Sequence, residues 1–326
     1  MSFENIKLEK GMYAVFNKSF TEILEGLDPS EDYRGTEFEG LDAYQRQLRR
    51  FGIRVSGPGC DIVEKFFENS ESAVLFPEFV SRAVKCGMNL NNVIPSIIST
   101  KIITNSLDCR VLTTNVESAS TTSVNEGATL QEVTIRTNDT LLKLKKYGHN
   151  ITSSYEALRL QNLEIVSMIL KKLGSLFITH QLKEMYSALG TYDELASQTL
   201  SYDNLLSLWS YLKPYKMNVI MASYNTAKAI LSLSEFRDAN AGLTFHGTGK
   251  DLTPLGAKLV CNNYLADKLV IGFDKDFAFQ MYQMGDLIVD YNKLIEKQLN
   301  SAAVSLTFGF SKILPKSLKG LDYSGN

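Results

Sequence analysis

The stretch LEIVSMILKKLGSLFITHQLKEMYSALG, residues 163–190, decides how the rest of the chain is read. Leu163, Val166, Ile169, Leu170, Leu173, Leu176 and Phe177 recur at three- and four-residue spacing, the period of a helix with one face on a core. Upstream, Ser153 and Glu156 have the spacing of a capping box. Together they predict a helix from Tyr155 to about Leu189, some 35 residues and about 50 Å at 1.5 Å per residue, with a bend allowed at Gly174. That is long for a globular protein.

Two stretches flank this helix in character. In LLKLKKYGHNI, residues 141–151, Leu142 and Leu144 alternate with Lys143 and Lys145. In SAAVSLTFGFSKI, residues 301–313, Ala302, Val304, Leu306, Phe308 and Phe310 alternate with small or polar residues. The second predicts a half-buried strand that returns to pair with the first beside the long helix, which makes that domain discontinuous. Between them the pattern is compact α/β: helices in YDNLLSLWSYL and YNTAKAILSLS, strands in KMNVIMA, AKLVCN and KLVIGF. No internal repeat is present.

The first 70 or so residues are polar and mixed in charge, broken at LDPSEDYRG and SGPGC, and are expected not to form a core by themselves. One narrow amphipathic helix stands out in them, GLDAYQRQLRRFG. Leu41, Tyr44, Leu48 and Phe51 form its stripe, while Arg46, Arg49 and Arg50 lie mostly off it. Those arginines, with Arg54, either contact nucleic acid or an acidic neighbour, or form a solvated face. After the apolar segment SAVLFPEFVSRAVKCG comes a stretch, residues 99–139, in which 14 of 41 residues are Ser or Thr and large apolar residues are sparse. It is β-prone but core-poor, so it is expected to rest on something outside itself.

With 326 residues, two domains, or one compact part with long extensions, are expected. Hydrophobic residues make up 44%, enough for a core, and the net charge of −2 excludes a strongly basic nucleic-acid binder on charge alone. Cys60, Cys86, Cys109 and Cys261 form no C-x-x-C pair, so neither a zinc site nor a redox motif is expected. The N-terminus lacks the apolar core of a signal peptide and no run is long enough to span a bilayer, which points to folding in a cytoplasm.

Catalytic chemistry finds no footing. FHGTGKDLTPLG, residues 245–256, suggests a phosphate loop, but a Walker motif ending at Gly249 and Lys250 needs a glycine where Thr244 stands, and a hydroxyl where Asp251 stands. His149, His180 and His246 lack metal-ligand spacing; His180 reads as a packing residue of the long helix and His149 as a strand or turn residue. Asp274 and Asp276 read as solvated turn residues. No catalytic, cofactor-binding or metal residue is assigned, no cofactor is expected, and the chain is not expected to be an enzyme.

The order of arm, β-rich loop, strand, very long helix, α/β domain and returning strand resembles the tailed-bacteriophage major capsid proteins, an α+β fold of the Hong Kong 97 type. LDAYQRQLRRFGI, SAVLFPEFVSRAVKCG, VNEGATL, KKYGHNITSSYEALRLQNLE and TPLGAKLVCNNYLADKLVIGFDKDFA look like stretches of one branch of that family, and together they run from about Leu41 to Ala278. The resemblance implies an N-terminal arm at 1–70, an extended β-hairpin loop at 95–139, a peripheral domain with the spine helix at 140–192 and 291–326, and an α/β axial domain at 193–290. It also implies self-assembly into pentamers and hexamers of an icosahedral phage head around double-stranded DNA, without membrane contact. The protein would be a virion component assembled in a bacterial host cytoplasm, with portal, decoration and scaffolding proteins as further partners. The short arm implies either a separate scaffold or prior cleavage. Some family members join a loop lysine to a neighbour's asparagine, with a glutamate assisting; Lys101 and the other lysines here are not matched to that set. Two alternatives stay open: an encapsulin-like nanocompartment shell, and a cytoplasmic nucleotide-dependent enzyme using the region around Lys250.

Overall fold

A computed structural model of the chain describes residues 3–14, 18–90, 92–118, 123–154, 157, 159–237, 254–294 and 299–324. The chain divides into two compact units, each assembled from three separate segments. The first contains Met1–Asn92, Lys146–Ile178 and Gly285–Thr307; the second contains Val93–Lys145, Thr179–Met284 and Phe308–Asn326.

In the first unit, helix α1 (Phe20–Leu27) starts at a capping box of Ser19 with Glu22, and α2 (Ala43–Arg50) at one of Asp42 with Gln45. Helix α3 (Phe76–Leu90) follows. Among the early residues Phe3, Leu24, Tyr44, Leu48, Val63 and Phe66 are all buried. The stripe of α2 is there as expected, but the residue beside it is not solvated. Arg46 is wholly buried. Its Nε donates to Asp28 Oδ2 at 2.7 Å, and its Nη1 donates to Ser30 Oγ at 2.9 Å and to the Leu41 carbonyl at 2.7 Å. Arg50 donates to the Ile6 carbonyl at 2.7 Å and pairs with Glu71 at 3.0 Å. Two of the four arginines therefore hold the chain to itself, leaving Arg49 and Arg54 exposed.

Glu25 joins α1 to α2 by accepting the Ala43 N–H at 2.6 Å and the Ser30 N–H at 3.0 Å. Burial pushes its carboxyl up, but these donors outweigh burial and hold it below the ordinary 4.5. A depressed folded value contributes stability that is present above pH 4.5 and lost as pH falls through it. Glu25→Ala is accordingly expected to lower the melting temperature at neutral pH, and the deficit should close on acidification below 4.5.

The long helix, α4 (Leu163–Ala188), has 26 residues, shorter than its predicted span. Strand β4 (Lys145–Ser154) runs through Ser153, so the capping box predicted there does not form; Glu156 lies outside the described residues. The start is marked instead by Asn162, whose Oδ1 accepts the Glu164 N–H at 2.8 Å. The buried side of the first unit's part of α4 carries Leu163, Leu170, Phe177 and Ile178. Ile169 and Leu176, predicted on the core stripe, are exposed. Gly174 makes no break in α4. A Cβ there would stand 2.1 Å from the Val84 carbonyl oxygen, and one on Gly87 would stand 1.9 Å from that of Lys171, so two glycines bring α3 and α4 into backbone contact.

The second unit holds a five-stranded sheet of order β5 (Asp193–Ala196), β11 (Leu318–Asp322), β8 (Leu269–Phe273), β6 (Val219–Ala222), β7 (Lys258–Cys261). β6 pairs parallel to β7 and antiparallel to β8. Every residue of β6 is buried, the unbroken apolar run expected of a strand covered on both faces. Helices α5 (Tyr202–Tyr211) and α6 (Tyr224–Leu231), capped by Ser201 and Ser223, pack Leu205, Leu208 and Ile230 against Ile220 and Val270.

A four-stranded sheet has the order β1 (Thr100–Thr104), β9 (Phe279–Leu294), β10 (Leu299–Lys312), β4. β10 does return beside β4, as the alternation predicted. It is not half-buried, however: Ser305 and Thr307 are buried along with Val304, Leu306, Phe308 and Phe310.

Candidate assembly surface

LLKLKKYGHNI divides at Leu144. The residues before it end β3 (Ile135–Lys143), which pairs antiparallel with β2 (Asp108–Thr114) as a separate two-stranded ribbon within the Ser/Thr-rich stretch. Cross-strand partners share a face, so the register sorts the side chains. Cys109 opposite Leu142 lies on one face, and Cys109, Val111, Leu144 and Tyr282 form a small buried cluster with Leu142 and Met284 packed on it. That face roots the ribbon in its own unit.

The opposite face carries Arg110 opposite Leu141, Leu112 opposite Thr137, and Thr114 opposite Ile135. Leu112 is 58% exposed, Ile135 70% and Leu141 41%. Farther out, Leu130 and Val133 are exposed too, while Asn115 continues the ladder by donating its N–H to the Thr134 carbonyl at 3.4 Å, and its side-chain Oδ1 accepts the Thr134 N–H at 2.8 Å. The turn NEGA has Gly127 at φ 79, the left-handed region that glycine enters without a Cβ clash. Burying one Leu or Ile from water contributes about 1.5–3 kcal/mol, so this face is a ready contact for another surface.

Other predicted positions resolve differently. Asp274 is not a solvated turn residue but is buried; it accepts the Lys216 N–H at 3.0 Å, the Asn218 side-chain amide at 2.9 Å and the Asp276 N–H at 3.1 Å. The sequence hint was its place as N-cap before KDFA. His149 lies in β4 with its ring edge-to-face on Phe177 at 5.6 Å, a packing role, and His180 lies in α4 in the other unit. His246, Lys250 and Asp251, with the whole presumed phosphate loop up to residue 253, lie outside the described residues. The four cysteines are free thiols. Among the described residues no three His, Cys, Asp or Glu side chains form a metal-binding group, and no helix is long and apolar enough to cross a membrane.

No protein-family model and no curated protein matches the sequence. Solved structures do match. The capsid of the native GTA particle has a TM-score of 0.54 at 14% identity, covering 71% of this chain and 89% of that one. The holo-SrpI encapsulin complex from Synechococcus elongatus PCC 7942 has a TM-score of 0.52 at 12% identity, covering 73% and 89%. The virus-like particle from Pyrococcus furiosus has a TM-score of 0.50 at 11% identity, covering 75% and 98%. These likenesses, with the spine helix, the rooted ribbon and the α/β unit, define the class of fold. It is α+β, of the Hong Kong 97 capsid type.

Proposed function

We propose that the chain is a major capsid protein, self-assembling into pentamers and hexamers of an icosahedral phage head around double-stranded DNA. The observation that carries this reading is the outward face of the ribbon: Leu112, Ile135 and Leu141 are exposed, on either side of a register shift between Arg110 and Leu112, on an element whose other face is already rooted. A neighbouring copy is the partner that a capsid fold supplies in quantity, and closed symmetry gives every copy the same contact. The net charge of −2 suits a wall that encloses nucleic acid without gripping it phosphate by phosphate. On this reading the protein turns over no substrate; portal, decoration and scaffolding proteins are its further partners, and the virion, assembled in the host cytoplasm, is its place. The domain division at 1–70, 95–139, 140–192 with 291–326, and 193–290 belongs to the same proposal.

Thr114 and Ile135 are register partners, so residues 115–134 can be replaced by an Asn-Gly turn that closes the ribbon tightly. The shortened chain is expected to stay folded, since Cys109 and Val111 keep their cluster, but to give no closed shells by electron microscopy where the full chain does. Shells of normal size from the shortened chain would defeat the proposal. The likeness to the encapsulin complex, 0.52 against 0.54 for the GTA capsid, supports a nanocompartment shell as the second reading. The contents of purified shells decide between the two: nuclease-sensitive DNA favours the phage head and a packaged enzyme favours the compartment.

A further inference from the structure

The ribbon is tied at a second point along its length. Beyond β2, a single 3-10 turn, Val116–Ser118, sets Glu117 against two distant segments of its own unit. Glu117 Oε1 accepts the Tyr215 hydroxyl at 2.7 Å and the Lys316 backbone N–H at 3.0 Å, and the Lys316 ammonium donates back to the Glu117 carbonyl at 3.3 Å. One carboxylate on the ribbon thus collects donors from two chain segments.

Those donors are themselves held. Asp274 accepts the N–H of Lys216, next to Tyr215, and donates its own N–H at 3.0 Å to the carbonyl of Ser317, next to Lys316. Ser317 and Asp274 are both buried, so the two receiving points are braced from behind by a single residue. The Tyr215 ring also rests on Phe277 at 5.6 Å between centroids. Burial first, and then the Glu117 acceptor, pushes the Tyr215 phenol well above its ordinary value. The hydroxyl therefore remains a donor at neutral pH and well above it.

We infer that Glu117 is a positioning residue for assembly: it acts as a strut that fixes the direction in which the ribbon leaves its own subunit. A two-stranded ribbon is marginal in water by itself, and ordering it at the moment of contact would subtract from the free energy of association. The strut lets that ordering take place before a neighbour arrives. The inference rests on the shell reading above, but its first readout does not.

The experiment compares the full chain with Glu117→Ala, Glu117→Gln and Tyr215→Phe, following amide hydrogen exchange over residues 108–143 in the isolated subunit and shell formation by light scattering. Hydrogen bonds to a charged acceptor are strong enough that Glu117→Ala should speed exchange in the ribbon about tenfold and slow assembly by a similar factor. The melting temperature should fall by only a few degrees, as expected for a tenfold loss in one native contact. Glutamine keeps an acceptor oxygen and should restore most of both; Tyr215→Phe, which removes one donor and little volume, should fall between. Unchanged exchange in Glu117→Ala would overturn the strut. Faster exchange with undiminished assembly would overturn its role in positioning. If the unaltered chain makes no shells, the shell reading fails, while the exchange comparison still decides whether Glu117 orders the ribbon.

Discussion

Gly174→Ala is expected to destabilise the protein by about 3 kcal/mol or more, although helix propensity alone gives the opposite sign. In an exposed helix interior, alanine is better than glycine by about 1 kcal/mol. At Gly174, however, the added Cβ would stand 2.1 Å from the Val84 carbonyl oxygen and 2.8 Å from the Met88 nitrogen. Both are backbone atoms of α3, and no rotamer change moves them aside. Overpacking that side chains can absorb costs about 1–3 kcal/mol, so a clash between two helix backbones belongs at or beyond the top of that range. Gly26, in α1, supplies the control: nothing lies within 4 Å of its would-be Cβ, so Gly26→Ala should stabilise by about 0.5–1 kcal/mol. Urea unfolding of the two variants reads the difference. A stabilised Gly174→Ala protein would mean that α3 and α4 do not cross at these glycines.

The second large effect is expected at Arg46. Arg46→Ala removes the guanidinium from Asp28, which is itself only 2% exposed, and from Ser30 and the Leu41 carbonyl. Stranding a buried carboxylate costs about 3–5 kcal/mol, enough to leave the protein poorly folded. The Arg46→Met, Asp28→Leu double variant removes both charges while keeping apolar volume, so it should recover much of that loss. If the single and double variants are equally unstable, the damage comes from the carbonyls and hydroxyl left without a donor rather than from the lone charge. A charge buried inside its own unit is not available to any outside partner, which leaves Arg49 and Arg54 as the exposed members of that group.

Period was legible wherever a single face met a core. The helices at YDNLLSLWSYL and YNTAKAILSLS and the strands at KMNVIMA and KLVIGF all appear because capped amphipathic helices and unbroken apolar strands leave strong local signals. β5 and β11 were not seen, since DELA and LKGLD carry charges and have only four and five residues; their place comes from pairing with each other, and of β11 with β8. The start of α4 was misplaced because Ser153 and Glu156 have capping spacing while Ser153 is already committed to β4. Asn162, the residue that does cap, was an equally plain signal nine positions later. For the ribbon, the sequence showed the shortage of core residues but not that β2 and β3 divide their faces between a root and an outward surface. That division depends on register, which one strand's composition does not carry. Glu117 was invisible for a simpler reason: its partners are 98 and 199 residues away.

The interleaving of segments has a consequence for synthesis. β11 occupies an interior place in its sheet, between β5 and β8, yet it is made last of the three. A nascent chain that has reached residue 317 has β5 and β8 ready and no strand to join them. The first unit likewise waits for Gly285–Thr307 to meet residues made some 200 positions earlier. Neither unit can therefore fold to completion as a contiguous piece on the ribosome. With contacts this distant in sequence, folding is slow, and until β11 is in place β5 and β8 present unpaired edges, the form of the chain most open to chaperone capture or aggregation.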